Sequence, residues 1–209
     1  MNRIEHNEEK WIFPFVEYAP TKMHEKMPLI IQLHGAGERG NGKEDLVKVD
    51  VHGFSKYISD KEIDCLFIMP QCPADTFWAA RVESIIKFVE QVKKEFDVDE
   101  DRVYLTGLSM GGFGTWYTAM ARPDLFAAIA PVCGGGMAWN AGVLTIPIWA
   151  FHGVEDPTVS VRHTDEMVDT LKLLGANVKY NRLEGVAHNA WAFTYDEEML
   201  DWILSQKRK

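Results

Sequence analysis

The stretch Leu105-Thr106-Gly107-Leu108-Ser109-Met110-Gly111-Gly112-Phe113-Gly114 constrains the fold more than any other part of the chain. Within it, Gly107 to Gly111 matches G-x-S-x-G, placed between an apolar strand-like run and a helix-like segment. A serine in that setting sits on a strained strand-to-helix turn, where a Cβ two positions to either side would crowd the neighbouring backbone. Gly107 and Gly111 meet this steric demand. A glycine-rich turn without chemistry has the same letters, so the surrounding sequence has to discriminate.

That surrounding sequence alternates strand-like and helix-like blocks. Trp11 to Tyr18 and Leu29 to Leu33 read as strands, and Cys65 to Met69 is another, stopped by Pro70. Val82, Ile85, Ile86, Val89, Val92 and Phe96 recur at steps of three or four, which predicts a helix with one buried face, capped at its start by Asp75 or Thr76. Arg102 to Thr106 leads into the serine turn, and the helix from Met110 to Ala121 ends at Pro123. Phe126 to Cys133 and Ile146 to Phe151 are strands. A helix carrying Met167, Val168, Leu171 and Leu174 closes at Gly175, Val178 to Leu183 is the last strand, and a helix spans about Tyr195 to Ser205. Several strands are continuously apolar, as expected for a mostly parallel sheet covered by helices on both faces. In such sheets functional groups gather in loops at the carboxyl ends of the strands.

A chain of 209 residues, 46% hydrophobic, is read as a single domain over residues 1–209. Its formal net charge of -9 opposes binding to nucleic acid, and Lys207-Arg208-Lys209 is read as a solvated helix end. Arg3, Glu5, Glu8, Glu9 and Lys10 leave no apolar leader near the start, and no apolar run is long enough for a membrane span, so a soluble cytoplasmic protein is expected. Cys65, Cys72 and Cys133 have no metal-site spacing and are expected as free thiols.

A neutral serine needs a base, and the base needs a carboxylate to hold its tautomer. His188 lies on a small-residue loop after the last strand and is the candidate general base. His34 and His152 precede glycine at strand ends, where structural hydrogen bonding is expected. His6, His24, His52 and His163 are read as solvent-facing. Asp156 or Glu155 could supply the carboxylate; Asp156 is preferred because Pro157 restricts its backbone. The competing role for Asp156 is to cap a helix near Ser160. Backbone donors for an oxyanion would come from Met110 and from the glycine loop His34 to Gly40, with Ala36 first and Gly37 next. That loop lacks both the P-loop ending and the dinucleotide-site spacing.

These motifs together resemble the α/β-hydrolase superfamily, within it the phospholipase/carboxylesterase-like and dienelactone-hydrolase-like esterases. The resemblance is carried by Leu33 to Gly40, Pro70-Gln71-Cys72-Pro73, Gly107 to Gly112, His152 to Pro157 and Gly185-Val186-Ala187-His188, in the family's order. It implies a Ser-Asp-His order met by Ser109, Asp156 and His188, and hydrolysis of a small-molecule ester through an acyl-enzyme without metal or organic cofactor. Dienelactone hydrolases usually carry cysteine as nucleophile, so Ser109 places the chain nearer the esterases. Relatives begin with two strands ahead of the equivalent of Leu29 to Leu33, and the short segment here predicts an N-terminally trimmed sheet, whose bare edge would favour a homodimer. Only Gly134 to Thr145 separates two strands where larger members insert a cap, which predicts a fold without a cap domain and an open cleft.

Trp78, Trp139 and Trp191, with Gly37, are assigned to substrate contact, while Phe113 and Trp116 are assigned to the core. Glu38 and Arg39 are open between contact with a polar substrate group and a salt-bridged loop. An acyl thioesterase and a prolyl-oligopeptidase-like peptidase are the competing enzymes. A non-catalytic binding protein on this scaffold would be expected to lack a triad member.

Overall fold

The computed structural model describes residues 1–208; Lys209, the last residue of the predicted basic tail and of the single domain, lies outside the described residues. Eight strands form one sheet: β1 (Asn2–His6), β2 (Phe15–Ala19), β3 (Met27–Leu33), β4 (Leu66–Pro70), β5 (Val98–Leu108), β6 (Ala128–Val132), β7 (Ile148–Gly153) and β8 (Val178–Leu183). Their spatial order is β1-β2-β4-β3-β5-β6-β7-β8. β2 runs antiparallel to both neighbours, and β3 to β8 are mutually parallel.

The central strands are apolar without alternation because both of their faces are covered. On β3, Leu29, Ile31 and Leu33 pack into one core layer and Ile30 into the other. The first layer is closed by α2 (Val82–Glu95), α3 (Met110–Ala121) and α4 (Arg162–Leu173) through Phe88, Trp116 and Met167 among others. The second is closed by α1 (Ser55–Ile58) and α5 (Glu197–Leu204) through Ile58, Met199 and Ile203. Helices on both faces of a mostly parallel sheet are as anticipated, and Gly175 ends α4 with φ of 72°.

Four expectations need correction. The sheet is not trimmed: β1 and β2 both precede β3, so the apolar bare edge invoked for dimerisation does not exist. β1 escapes a pattern search because it is a short edge strand, exposed over Asn2 to Glu5 and carrying Arg3 and Glu5, with no buried face to impose alternation. Neither Asp75 nor Thr76 caps α2, which starts after Arg81 with no side-chain cap. The C-terminal segment is not simply solvated: the Arg208 amide donates to the Asp101 carbonyl at 2.8 Å and its guanidinium to the Asp124 carbonyl at 2.9 Å. Gly134 to Thr145 forms a short 3-10 segment, Ala138–Val143, and no cap domain is present among the described residues.

Candidate active site

Four strand ends converge at the carboxyl edge of the sheet. β5 delivers Ser109, which adopts φ of 53° and ψ of −115° between the strand and α3. A Cβ on Gly107 would collide with the Gly111 carbonyl, and one on Gly111 with the Leu33 carbonyl, so both glycines are required by close backbone approach. The serine is held in this unfavourable region by a hydrogen bond from its own amide to the Val132 carbonyl of β6, at 2.9 Å.

β7 ends at Gly153 and turns into Asp156. Its Oδ1 accepts from the amides of Thr158 and Val159 at 2.8 and 2.9 Å, which locks the carboxylate in a local turn. The other oxygen, Oδ2, lies 2.6 Å from Nδ1 of His188, on the loop after β8. His188 Nε2 lies 2.8 Å from Ser109 Oγ. Burial would raise the Asp156 pKa; the His188 hydrogen bond and the amides of Val159 and Thr158 outweigh it and hold the carboxyl below its ordinary value. A second imidazole, His152, is fully buried with Nε2 at 3.3 Å from the same Oδ2. Its ring is fixed by Thr164 Oγ1 at 2.7 Å and the Val159 carbonyl at 2.9 Å.

Oxyanion donors need amides without internal partners. The Met110 N–H opens α3, where the first amides have no intrahelical acceptor. The Ala36 N–H likewise opens the 3-10 turn Ala36–Glu38 after β3. That turn is clamped from behind. The Cys72 amide donates to His34 Nε2 at 2.9 Å, the Trp78 indole N–H to the His34 carbonyl at 3.0 Å, and Gln71 Nε2 to the carbonyls of Glu38 and Asp45 at 3.0 and 2.7 Å. Gln71 Oε1 accepts from the Gly42 amide at 2.8 Å. Burial pushes the His34 pKa down to about 4, so this histidine is a neutral structural strut.

Beside Ser109 a cavity of about 420 Å³ is lined by Phe77, Ala79, Met110, Phe113, Tyr117 and Val159. Met110, Phe113 and Tyr117 are a stripe at helical spacing on α3, turned away from the sheet.

Residues 74–200, more than half of the chain, match the phospholipase/carboxylesterase family. The chain belongs to that family. Among solved structures, this carboxylesterase-family chain is similar to a thermostable esterase, with a TM-score of 0.83 and 31% identity over 99% of this chain and 63% of that one. It is also similar to the bifunctional acetylxylan esterase/xylanase XynS20E of Neocallimastix patriciarum, 28% identical over 71% of this chain. A further relative is the poly(3-hydroxyalkanoate) depolymerase C of Paucimonas lemoignei, 29% identical over 57% of this chain. The matched regions account for only 22% and 30% of those two relatives' lengths. No helix among the described residues is long and apolar enough to cross a membrane.

Ser109, Asp156 and His188 come together, Met110 lines the cavity beside Ser109, and Ala36 and Gly37 lie in the turn after β3, the strand that pairs with β5 up to Leu33 opposite Gly107. Glu155 is exposed and stands outside the relay. The competing role for Asp156 is half right: it does organise a local turn, yet α4 begins only at Arg162. Trp78 is wrongly assigned to substrate contact, because it is completely buried against Phe13 and its indole N–H is spent on the His34 carbonyl. Trp139 is 83% exposed and does not line the cavity at Ser109. Trp191 packs edge-on against His188, ring centroids 5.2 Å apart. Phe113, assigned to the core, lines the cavity instead, whereas Trp116 is core as anticipated.

Arg39 is structural, donating to the carbonyls of Ala36 and Thr76 at 3.0 and 3.1 Å. Gln71 is a residue whose importance went unrecognised; its signal was an amide side chain between Pro70 and Cys72 at a strand end. All three cysteines are free and buried, and burial pushes the Cys133 thiol up to about 12, which keeps it in its unreactive protonated form.

Proposed function

We propose that the chain is a serine carboxylic ester hydrolase acting through an acyl-enzyme on small or accessible acyl esters. The observation that carries this reading is the continuous relay from Ser109 Oγ through His188 to Asp156 at 2.8 and 2.6 Å. His188 Nε2 takes the hydroxyl proton as Ser109 attacks the ester carbonyl carbon. The resulting oxyanion accepts from the Ala36 and Met110 amides, each such donor contributing on the order of 3 kcal/mol to barrier lowering. Collapse breaks the carbon–oxygen bond, and the imidazolium hands its proton to the departing alkoxide. Water, deprotonated by the same nitrogen, then attacks the acyl-serine and releases the acid. Asp156 orients the imidazole and balances its transient charge.

The apolar cavity walled by Phe77, Phe113 and Tyr117 suits the acyl group. The free buried thiols are compatible with a reducing compartment, and the reading includes a cytoplasmic location.

The test is hydrolysis of p-nitrophenyl acetate and butyrate by the wild type and Ser109→Ala, with circular dichroism as a control for folding. Loss of turnover by about three orders of magnitude or more is expected, together with loss of fluorophosphonate labelling. Unchanged turnover in a folded Ser109→Ala protein would remove the serine from the chemistry.

A further inference from the structure

We infer that Glu38, His52 and Trp191 form a subsite for the alcohol half of the ester, and that this alcohol is polyhydroxylated, a sugar or a comparable polyol. The inference rests on the ester-hydrolase reading and specifies its substrate.

Glu38 ends the oxyanion turn with a side chain only 12% exposed, and its buried Oε2 has no hydrogen-bond partner. The neighbouring His34 cannot serve it. Nε2 of His34 accepts from the Cys72 amide, so its one proton sits on Nδ1 and is directed to the Gly35 carbonyl at 2.6 Å. That buried oxygen is enclosed beside His34 and Gly35, which leaves Oε1 as the carboxylate atom a ligand can reach. On the other side, Glu38 Oε1 is 3.9 Å from His52 Nε2. That gap is too long for a direct hydrogen bond, and a hydroxyl seated beside both atoms can donate to the carboxylate and accept from the imidazole.

The third wall is aromatic. The half-buried Trp191 ring stands edge-on to His188 at 5.2 Å and tilted against His52 at 5.4 Å. An unbroken arc therefore runs from His188 through an indole and an imidazole to the Glu38 carboxylate. Because His188 gives its proton to the leaving oxygen, groups packed against His188 face the leaving alcohol. The apolar cavity formed by α3 and Phe77 is then free for the acyl half.

The chemistry of the arc selects among alcohols. A hydrocarbon alcohol would cover Glu38 Oε1 and displace its water without supplying a donor. A quaternary ammonium would satisfy the carboxylate charge but supplies no hydroxyl for the His52 nitrogen. A polyol offers several hydroxyls that both donate and accept, plus a C–H face that packs on an indole.

The experiment holds the acyl group constant and varies the alcohol. Values of kcat/KM are measured for methyl 6-O-acetyl-glucoside, ethyl acetate, acetylcholine and p-nitrophenyl acetate, in the wild type, Glu38→Gln and His52→Phe. The expected result is a wild-type preference of about tenfold or more for the acetylated glycoside over ethyl acetate, with the ratio collapsing about tenfold in each variant. Equal rates on the two esters, a preference for acetylcholine, or an unchanged ratio in both variants would overturn the subsite while leaving the ester-hydrolase reading in place. If no acetate is hydrolysed at all, that broader reading fails. The subsite is then judged by tryptophan fluorescence titration with unacylated methyl glucoside, where saturable binding weakened in Glu38→Gln supports it and no saturable change overturns it.

Discussion

At the scale of single residues, the site depends on side chains whose protons are already allocated. Asp156 uses one oxygen on backbone amides and the other on His188, so its geometry survives only with an acceptor at Oδ2. Asp156→Asn is expected to lower kcat toward p-nitrophenyl acetate by roughly three to four orders of magnitude, since an amide N–H there imposes the wrong imidazole tautomer. A variant retaining near-normal kcat would transfer the orienting role elsewhere. His34 yields a prediction about acid stability. Its folded pKa is depressed by burial to about 4, below the ordinary value of 6.5, so the unfolded chain binds the extra proton first. Stability from this residue is complete above about pH 6.5 and is lost as pH falls toward 4, by at most about 3 kcal/mol. Urea midpoints measured between pH 7 and 4.5 should fall for the wild type and fall less steeply for His34→Gln.

At the scale of elements, the oxyanion turn is positioned by the segment after β4 as much as by its own sequence. Gln71 reaches three backbone groups of the 38–45 stretch, and substituting Leu removes all three bonds while preserving side-chain bulk. Gln71→Leu is expected to reduce kcat at least about tenfold with a smaller change in KM, because the donor amides drift from their aim. Equal losses of kcat and thermal stability with no kinetic split would reduce Gln71 to a packing role. The elbow admits a sharper test. Gly111→Ala drives a methyl group into the Leu33 carbonyl, and destabilisation of about 3 kcal/mol or more is expected by urea titration.

Elements also show what sequence could and could not reveal. β3, β4, β6 and β7 were legible because burial on both faces makes them continuously apolar, and α2 because only one of its faces is buried. β1 was invisible because edge exposure erases any pattern, and α1 because one turn is too short to establish a period. That Ser109, Asp156 and His188 could meet was legible from residue types at strand ends. Trp78 was misread because tryptophan suits both a binding surface and a core, and only the fold places its indole N–H on the His34 carbonyl.

At the scale of the whole molecule, the sheet is complete and its outer edge is polar. β1 shields β2, whose residues are all buried, so removal of residues 1–6 would present an unpaired apolar strand. That truncated protein is expected to associate in a concentration-dependent manner by sedimentation velocity, unlike the full chain. The fifteen residues between β6 and β7 hold only one short 3-10 segment, Ala138–Val143, and no cap segment among the described residues roofs Ser109. Enzymes that hide the nucleophile under a hinged flap switch on when they meet an oil droplet. With no flap among the described residues to swing aside, velocity with a sparingly soluble ester is expected to follow an ordinary saturation curve straight through the point where the substrate begins to form emulsions.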